Sequence, residues 1–223
     1  MTHRSRTALR ALTAAAVCAV PLLGGCAAPS GLAEGDAVPA VAAQPSPAAL
    51  WPAWSDASSS EPGGAAVAGQ QPAPRPLAGV RIPAGGLAAL DVREVVRADP
   101  KARACCDKPR IDRPGRAGVR PPVLHDLTGD GHAELVVAAD LESGRSAVAV
   151  YRARGELLVP VLYTTGRRLA VEAVGTDLLV RGAADDGAEQ AVRYRWDGER
   201  LSTVSDIKNY PEPSKSAADG ESE

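Results

Sequence analysis

Apolar and polar positions follow two different rhythms along this chain, and the change falls near Pro122. Before it, Leu87, Leu90, Val92, Val95 and Val96 recur at helical spacing behind Gly85-Gly86, which predicts one amphipathic helix over 87–98. Asp99-Pro100 has the form of an N-cap with proline at the first helical position, and predicts a short second turn through Ala104. After Pro122 the apolar residues come in short, β-branched-rich runs: Leu135–Ala139, Ala147–Tyr151, Leu157–Tyr163, Leu169–Val174, Leu178–Val180, Ala191–Trp196 and Leu201–Val204. Turn residues such as Ser143-Gly144, Arg154-Gly155 and Asp186-Gly187 separate them. This spacing predicts an antiparallel meander, with Asp197-Gly198 marking a tight hairpin.

The meander repeats itself. At an offset of 43 residues, Glu134-Leu135-Val136-Val137 aligns with Asp177-Leu178-Leu179-Val180, Tyr151-Arg152 with Tyr194-Arg195, and Gly155-Glu156 with Gly198-Glu199. The repeats run over 134–161 and 177–204 without a gap. A period of this size with several strands in each unit has the dimension of a β-propeller blade, but two units cannot close a propeller of four or more blades. The expected fold is therefore mainly β: two blade-like repeats in an antiparallel meander, with a short N-terminal helix packed on it, in a domain over 77–210. An open fragment completed by other subunits is the alternative.

The flanks read differently. His3, Arg4, Arg6 and Arg10 give a basic start, an apolar run follows from Ala11 to Leu23, and then comes Leu23-Gly24-Gly25-Cys26. As a helix that run would be about 20 Å long, short of the roughly 30 Å hydrocarbon core of a bilayer. Basic flank, short apolar run and small residues describe an export signal over 1–25. The ending resembles the lipobox of bacterial lipoproteins, which implies diacylglycerol on the Cys26 thiol and cleavage before it. Acyl chains at about 0.8 kcal/mol per buried CH₂ would hold the chain to a membrane. Arg outnumbers Lys and Ala, Gly and Pro are abundant, as in high-GC genomes; the expected location is the outer face of the cytoplasmic membrane. Residues 26–76 are rich in Ala, Pro and Gly and predict a disordered tether. Trp51-Pro52-Ala53-Trp54 within it reads as linker, with a recognition element or membrane-interface anchor as alternatives. The acidic, Pro/Ser-rich 211–223 predicts a disordered tail.

One loop carries candidate metal chemistry. Asp126-Leu127-Thr128-Gly129-Asp130-Gly131-His132-Ala133-Glu134 runs straight into the strand at Leu135. Carboxylates at positions 1, 5 and 9 of a tight loop, with an oxygen at position 3 and a carbonyl at 7, can converge on a hard cation. The loop resembles the calcium loop of FG-GAP and VCBS proteins. That resemblance implies Asp126, Asp130 and Glu134 as carboxylate ligands of Ca²⁺, Thr128 as a weaker donor where the family has Asp or Asn, and His132 as carbonyl donor. The competing reading is a polar turn in which Asp126 and Asp130 cap backbone N–H groups. The second repeat has no such loop. His125-Asp126 does not make a catalytic relay, because adjacent strand residues face opposite ways.

Once Cys18 leaves with the signal and Cys26 is acylated, Cys105 and Cys106 remain. In an oxidising compartment they could form a strained vicinal disulfide, stay as thiols on opposite faces, or bridge to another molecule. The vicinal disulfide is the expected state; a lone Cys-Cys pair does not make a tetrahedral metal set. Arg103, Lys108, Arg110, Arg113, Arg116 and Arg120 form a basic stretch around them, read as a solvated loop or as a surface for an anionic partner.

A net charge of −2 without a dense Lys/Arg cluster argues against nucleic acid as a partner. The sequence contains no G-x-S-x-G, H-E-x-x-H or Gly-rich phosphate motif, and no catalytic residues are assigned. Taken with the lipobox, Val95-Val96-Arg97-Ala98-Asp99-Pro100, Cys105-Cys106-Asp107-Lys108-Pro109 and Tyr194-Arg195-Trp196-Asp197-Gly198 resemble a family of streptomycete lipoproteins encoded with an extracytoplasmic-function sigma factor and a two-component system. The resemblance implies a non-enzymatic, negative modulator of cell-envelope-stress signalling acting on a sensor kinase's extracytoplasmic domain. A lipoprotein that binds wall polymer or carbohydrate, without a signalling role, is the alternative.

Overall fold

The structure is a computed structural model that describes residues 45–57, 73–105, 107–184 and 186–210. It is mainly β, built as two open antiparallel sheets and one α-helix. The strands are β1 (Ala48–Ala49), β2 (Gly118–Val119), β3 (Val123–His125), β4 (Glu134–Asp140), β5 (Arg145–Arg154), β6 (Leu157–Arg167), β7 (Ala170–Val174), β8 (Asp177–Ala183), β9 (Glu189–Trp196) and β10 (Leu201–Asn209). One sheet has the order β1-β7-β8-β9-β10; the other has β2-β4-β5-β6, with β3 also paired to β4. All seven runs expected after Pro122 are strands, and β1, β2 and β3 add to them. Neither sheet closes among the described residues.

Side-chain alternation explains the layering. Val136, Ala138, Val148 and Val150 point from the second sheet into a core shared with Val171, Leu178, Val180, Val192 and Tyr194 of the first. The intervening residues Leu135, Val137, Ala139, Ala147, Ala149 and Tyr151 form the opposite face, which is covered by Val92, Val95 and Val96. Both faces of β4 are thus buried, as its unbroken apolar run requires. The first sheet has one wet face, where Arg181 pairs with Glu172 at 3.1 Å.

The helix is shorter than its periodicity suggests. Leu87–Ala89 form a 3₁₀ turn and α1 spans Val92–Ala98, because Asp91 caps it by accepting the Arg93 N–H at 2.9 Å. Asp99 accepts the Lys101 N–H and, through its other oxygen, the buried Tyr151 hydroxyl at 2.9 Å. It fastens the end of α1 to the sheet. Among the described residues no helix is long and apolar enough to cross a membrane.

The two meanders pair in the same register. Leu135 faces Tyr151 as Leu178 faces Tyr194, and Arg152 faces Val159 as Arg195 faces Ser202, each 43 residues on. Both third strands are irregular at the matching place, between Val150 and Tyr151 in one pairing and between Thr203 and Ser205 in the other. The Asp186-Gly187 turn ties down the end of β10: Asp186 accepts hydrogen bonds from Lys208 Nζ and the Tyr210 hydroxyl, each at 2.9 Å. Lys208 and then Tyr210 hold this carboxyl at about 2. Its folded-state value lies below the unfolded one near 3.9, so its contribution is present above pH 4 and lost as pH falls toward 2. Amide exchange at the Lys208 end of β10 should quicken over that window, and more than exchange at the Leu201 end.

The expected tether is corrected at 45–57, which belongs to the folded body. β1 pairs with β7, a 3₁₀ helix spans Pro52–Ala57, and Trp51 and Trp54 are 5% and 4% exposed. Composition suggested a segment with too little apolar surface to order; two indoles supply that surface. The signal, Cys26 and the tail over 211–223 lie outside the described residues.

Candidate functional site

The acidic loop is closed by its own donors. Asp126 accepts backbone N–H groups from Thr128, Gly129 and Gly131. Burial works to raise its carboxyl, but these three donors outweigh it and hold the pKa down. Asp130 turns to Arg152, 2.6 Å from Nη2, and accepts the His132 N–H; the guanidinium, then that N–H, lower its pKa. Glu134, 1% exposed, accepts from Leu127 N and Thr128 Oγ1 and lies 3.6 Å from Arg152 Nε. Burial raises it despite the Leu127 hydrogen bond.

The loop has the form of the competing reading, a polar turn in which Asp126 and Asp130 cap backbone N–H groups. Asp130 and Glu134 share the single positive charge of the Arg152 guanidinium. Among the described residues no group of three His, Cys, Asp or Glu side chains is arranged to hold a metal ion. His125 Nε2 lies 2.9 Å from the Gly175 carbonyl oxygen, away from any pairing with Asp126. Arg195 makes the matching contact in the second meander, 2.8 Å from Asp177, whose pKa it lowers.

Cys105 is buried and ends the 3₁₀ turn Arg103–Cys105. Cys106 lies outside the described residues, and the expected vicinal bridge with it.

A second cluster escaped the sequence reading. Arg120, placed in a solvated basic stretch, is completely buried. It leaves β2 with its backbone N–H bonded to the Ala138 carbonyl, which carries the side chain between the two sheets. Nη2 donates to Asp140 Oδ1 at 2.6 Å and to Ser146 Oγ at 3.2 Å, and Nη1 donates to the Leu169 carbonyl at 3.0 Å. The guanidinium lies 5.4 Å from the Trp51 ring and 4.9 Å from that of Trp54. The two indoles act as jaws because residues three apart in a 3₁₀ turn eclipse, and Trp54 N–H bonds the Trp51 carbonyl at 2.9 Å. Trp54 Nε1 donates to Asp140 Oδ2 and Trp51 Nε1 to the Pro121 carbonyl, each at 2.7 Å. Burial pulls the Arg120 pKa down, and Asp140 opposes it. A Trp-x-x-Trp pair in a segment otherwise made of small residues was the one available signal.

Beside this network opens a cleft of about 470 Å³, floored by Trp54, Arg120, Asp140 and Ser146 and lined also by Arg116, Arg145 and Arg168. Arg168 stands in the β6–β7 turn at φ 42, the single non-glycine residue in the left-handed region among those described. That conformation costs about 1–2 kcal/mol for an L-residue. Ser146 Oγ donates to Asp140 at 2.7 Å and accepts from Arg120 and the Leu169 N–H, so this hydroxyl holds the network together. The lining of this cleft thus combines arginines with one indole, that of Trp54.

No family model matches the chain, and no curated protein or solved structure matches it.

Proposed function

We propose that this chain is a lipid-anchored extracytoplasmic module, non-enzymatic, that acts negatively on a cell-envelope-stress signalling system by binding the extracytoplasmic domain of its sensor kinase. The observation that carries the reading is the docked Trp51/Trp54 segment. It leaves only residues 27–44 between Cys26 and the folded body. At coil dimensions of about 5–6 Å × √n these reach on the order of 25 Å, against roughly 40 Å for the full expected tether. A module held that near the bilayer shares a thin layer with a sensor's outer domain, where effective concentration is high and a weak contact suffices. Inhibition follows if the module binds the sensor's resting state better than its active state.

The shared register of the meanders supports reading β3–β6 and β7–β10 as duplicated blade-like units, with the acidic loop inserted in the first. Deleting the protein, or making Cys26→Ala, should raise basal envelope-stress transcription in a reporter strain. An unchanged basal level in both strains overturns the reading. Capture of the module by purified cell wall and not by the kinase ectodomain would instead support the wall-polymer alternative.

A further inference from the structure

We propose that the outer edge of β10 is a docking surface for a second copy of this chain, the two β10 strands pairing antiparallel about a two-fold axis at Ile207. The inference stands on this edge alone and is independent of the signalling assignment.

β10 ends its sheet, and among the described residues its backbone pairs only with β9. A strand in that position presents a row of N–H and C=O groups along its outer side, a template for another strand. Its side chains add apolar surface. Four large apolar side chains stand exposed among the described residues, and three belong to this segment: Val204, Ile207 and Tyr210, at 50%, 54% and 62%. Ile207 opposes Ala191, which in turn opposes Arg181 on the wet face of the sheet, so only a methyl group flanks it on the β9 side. The edge is also held in place before any partner arrives, because Asp186 accepts from both Lys208 and Tyr210. Less ordering is then lost on docking. An irregularity between Thr203 and Ser205 confines regular pairing to 205–209.

Charge selects the occupant and the register. A two-fold axis normal to the sheet must pass between two copies of the same residue, because side chains alternate between faces. Centring it on Asp206 or on Lys208 sets like charges directly opposite each other, which destabilises a pair. Centring it on Ser205 or on Asn209 leaves Lys208 opposite an uncharged residue. Centred on Ile207, each Asp206 faces the second copy's Lys208, each Ser205 faces an Asn209, and the two isoleucines meet on the axis. Both charged groups keep their contacts within the chain. Asp206 accepts from Gln190 Nε2 at 2.6 Å, a neutral donor. Lys208 gives one N–H to Asp186, and an ammonium carries three. The same register brings each Val204 alongside the other copy's Tyr210 ring. An edge that is its own complement in charge and in apolar surface fits a second copy of itself.

The test uses the full chain in membranes of cells that express it, with copper phenanthroline as oxidant to trap cysteines that meet. Ile207→Cys changes an exposed position and sets two thiols across the axis at a Cα separation of about 4.5–5.5 Å, within disulfide reach. It should give a product of twice the chain mass, about tenfold above the parent chain, which measures the background from the native cysteines. Ser202→Cys on the same edge should stay at that background. It lies five residues from the axis, so its two copies stand roughly 33 Å apart. Adding Asp206→Lys to Ile207→Cys should cut the product about tenfold by setting like charges opposite each other. Asp206→Asn, which keeps an acceptor for Gln190, should cut it about threefold, and decides the matter if Asp206→Lys lowers the thermal midpoint of the purified chain. No product from Ile207→Cys, an equal product from Ser202→Cys, a cross-link to a different protein in place of the dimer, or undiminished product in both Asp206 variants overturns the proposal.

Discussion

Arg120→Ala is expected to lower the free energy of unfolding by about 3–5 kcal/mol, the range for removing one partner of a buried ion pair. The loss has named sources. Asp140 keeps Ser146 and the Trp54 indole but loses its counter-charge, while the Leu169 carbonyl and Ser146 lose a donor in a dry site. The space between the indoles is left empty, and two cation–π contacts worth about 0.5–2 kcal/mol each disappear. Chemical denaturation of the variant measures the sum. A loss under about 1 kcal/mol would mean that the network is solvated and the reading of it wrong. The double variant Arg120→Ala/Asp140→Ala should lose less than the sum of the single variants, by more than about 1 kcal/mol, because each single change strands the other's charge.

This network also marks where sequence reasoning ran out. Strand periodicity needs only neighbours along the chain, so β4 to β10 were legible, and the offset of 43 was legible for the same reason: it fixes the register in which Leu135 meets Tyr151 and Leu178 meets Tyr194. The end of α1 was harder, since Leu87 and Leu90 continue the apolar spacing although Asp91 resets the backbone as a cap. The role of Arg120 was not legible. In the sequence it is one of six basic residues in a stretch; its burial depends on Trp51 and Trp54, more than 60 residues upstream in a segment whose composition predicts disorder, and on Asp140 twenty residues downstream. The partner of the acidic loop was not legible either. Its spacing matches a calcium loop, but the cation that meets Asp130 is Arg152, on a strand that pairs with the one leaving the loop. Local pattern specifies local structure; pairing of charge across the sheet does not follow from it.

Trp51→Ala and Trp54→Ala should each cost about 3–5 kcal/mol, as expected for truncating a buried tryptophan, and the two should not be equivalent. Trp51 is buried at 5%, in contact with the shared core, and anchors to the Pro121 carbonyl. Trp54 also bonds Asp140 and walls the cleft, so its loss admits water to Arg120 from the open side. Trp54→Phe keeps a ring over the guanidinium and removes only the indole donor, for a cost nearer 1 kcal/mol. The truncations also bear on reach. If either releases 45–57, the span between Cys26 and the body grows toward that of residues 27–76, from on the order of 25 Å to roughly 40 Å. Limited proteolysis should then cut within 45–57 in the alanine variants and spare it in the parent chain and in Trp54→Phe. Cleavage of the parent chain in this segment, at the rate seen for the alanine variants, would show that the strap does not hold. The short anchoring distance on which the signalling proposal depends would go with it.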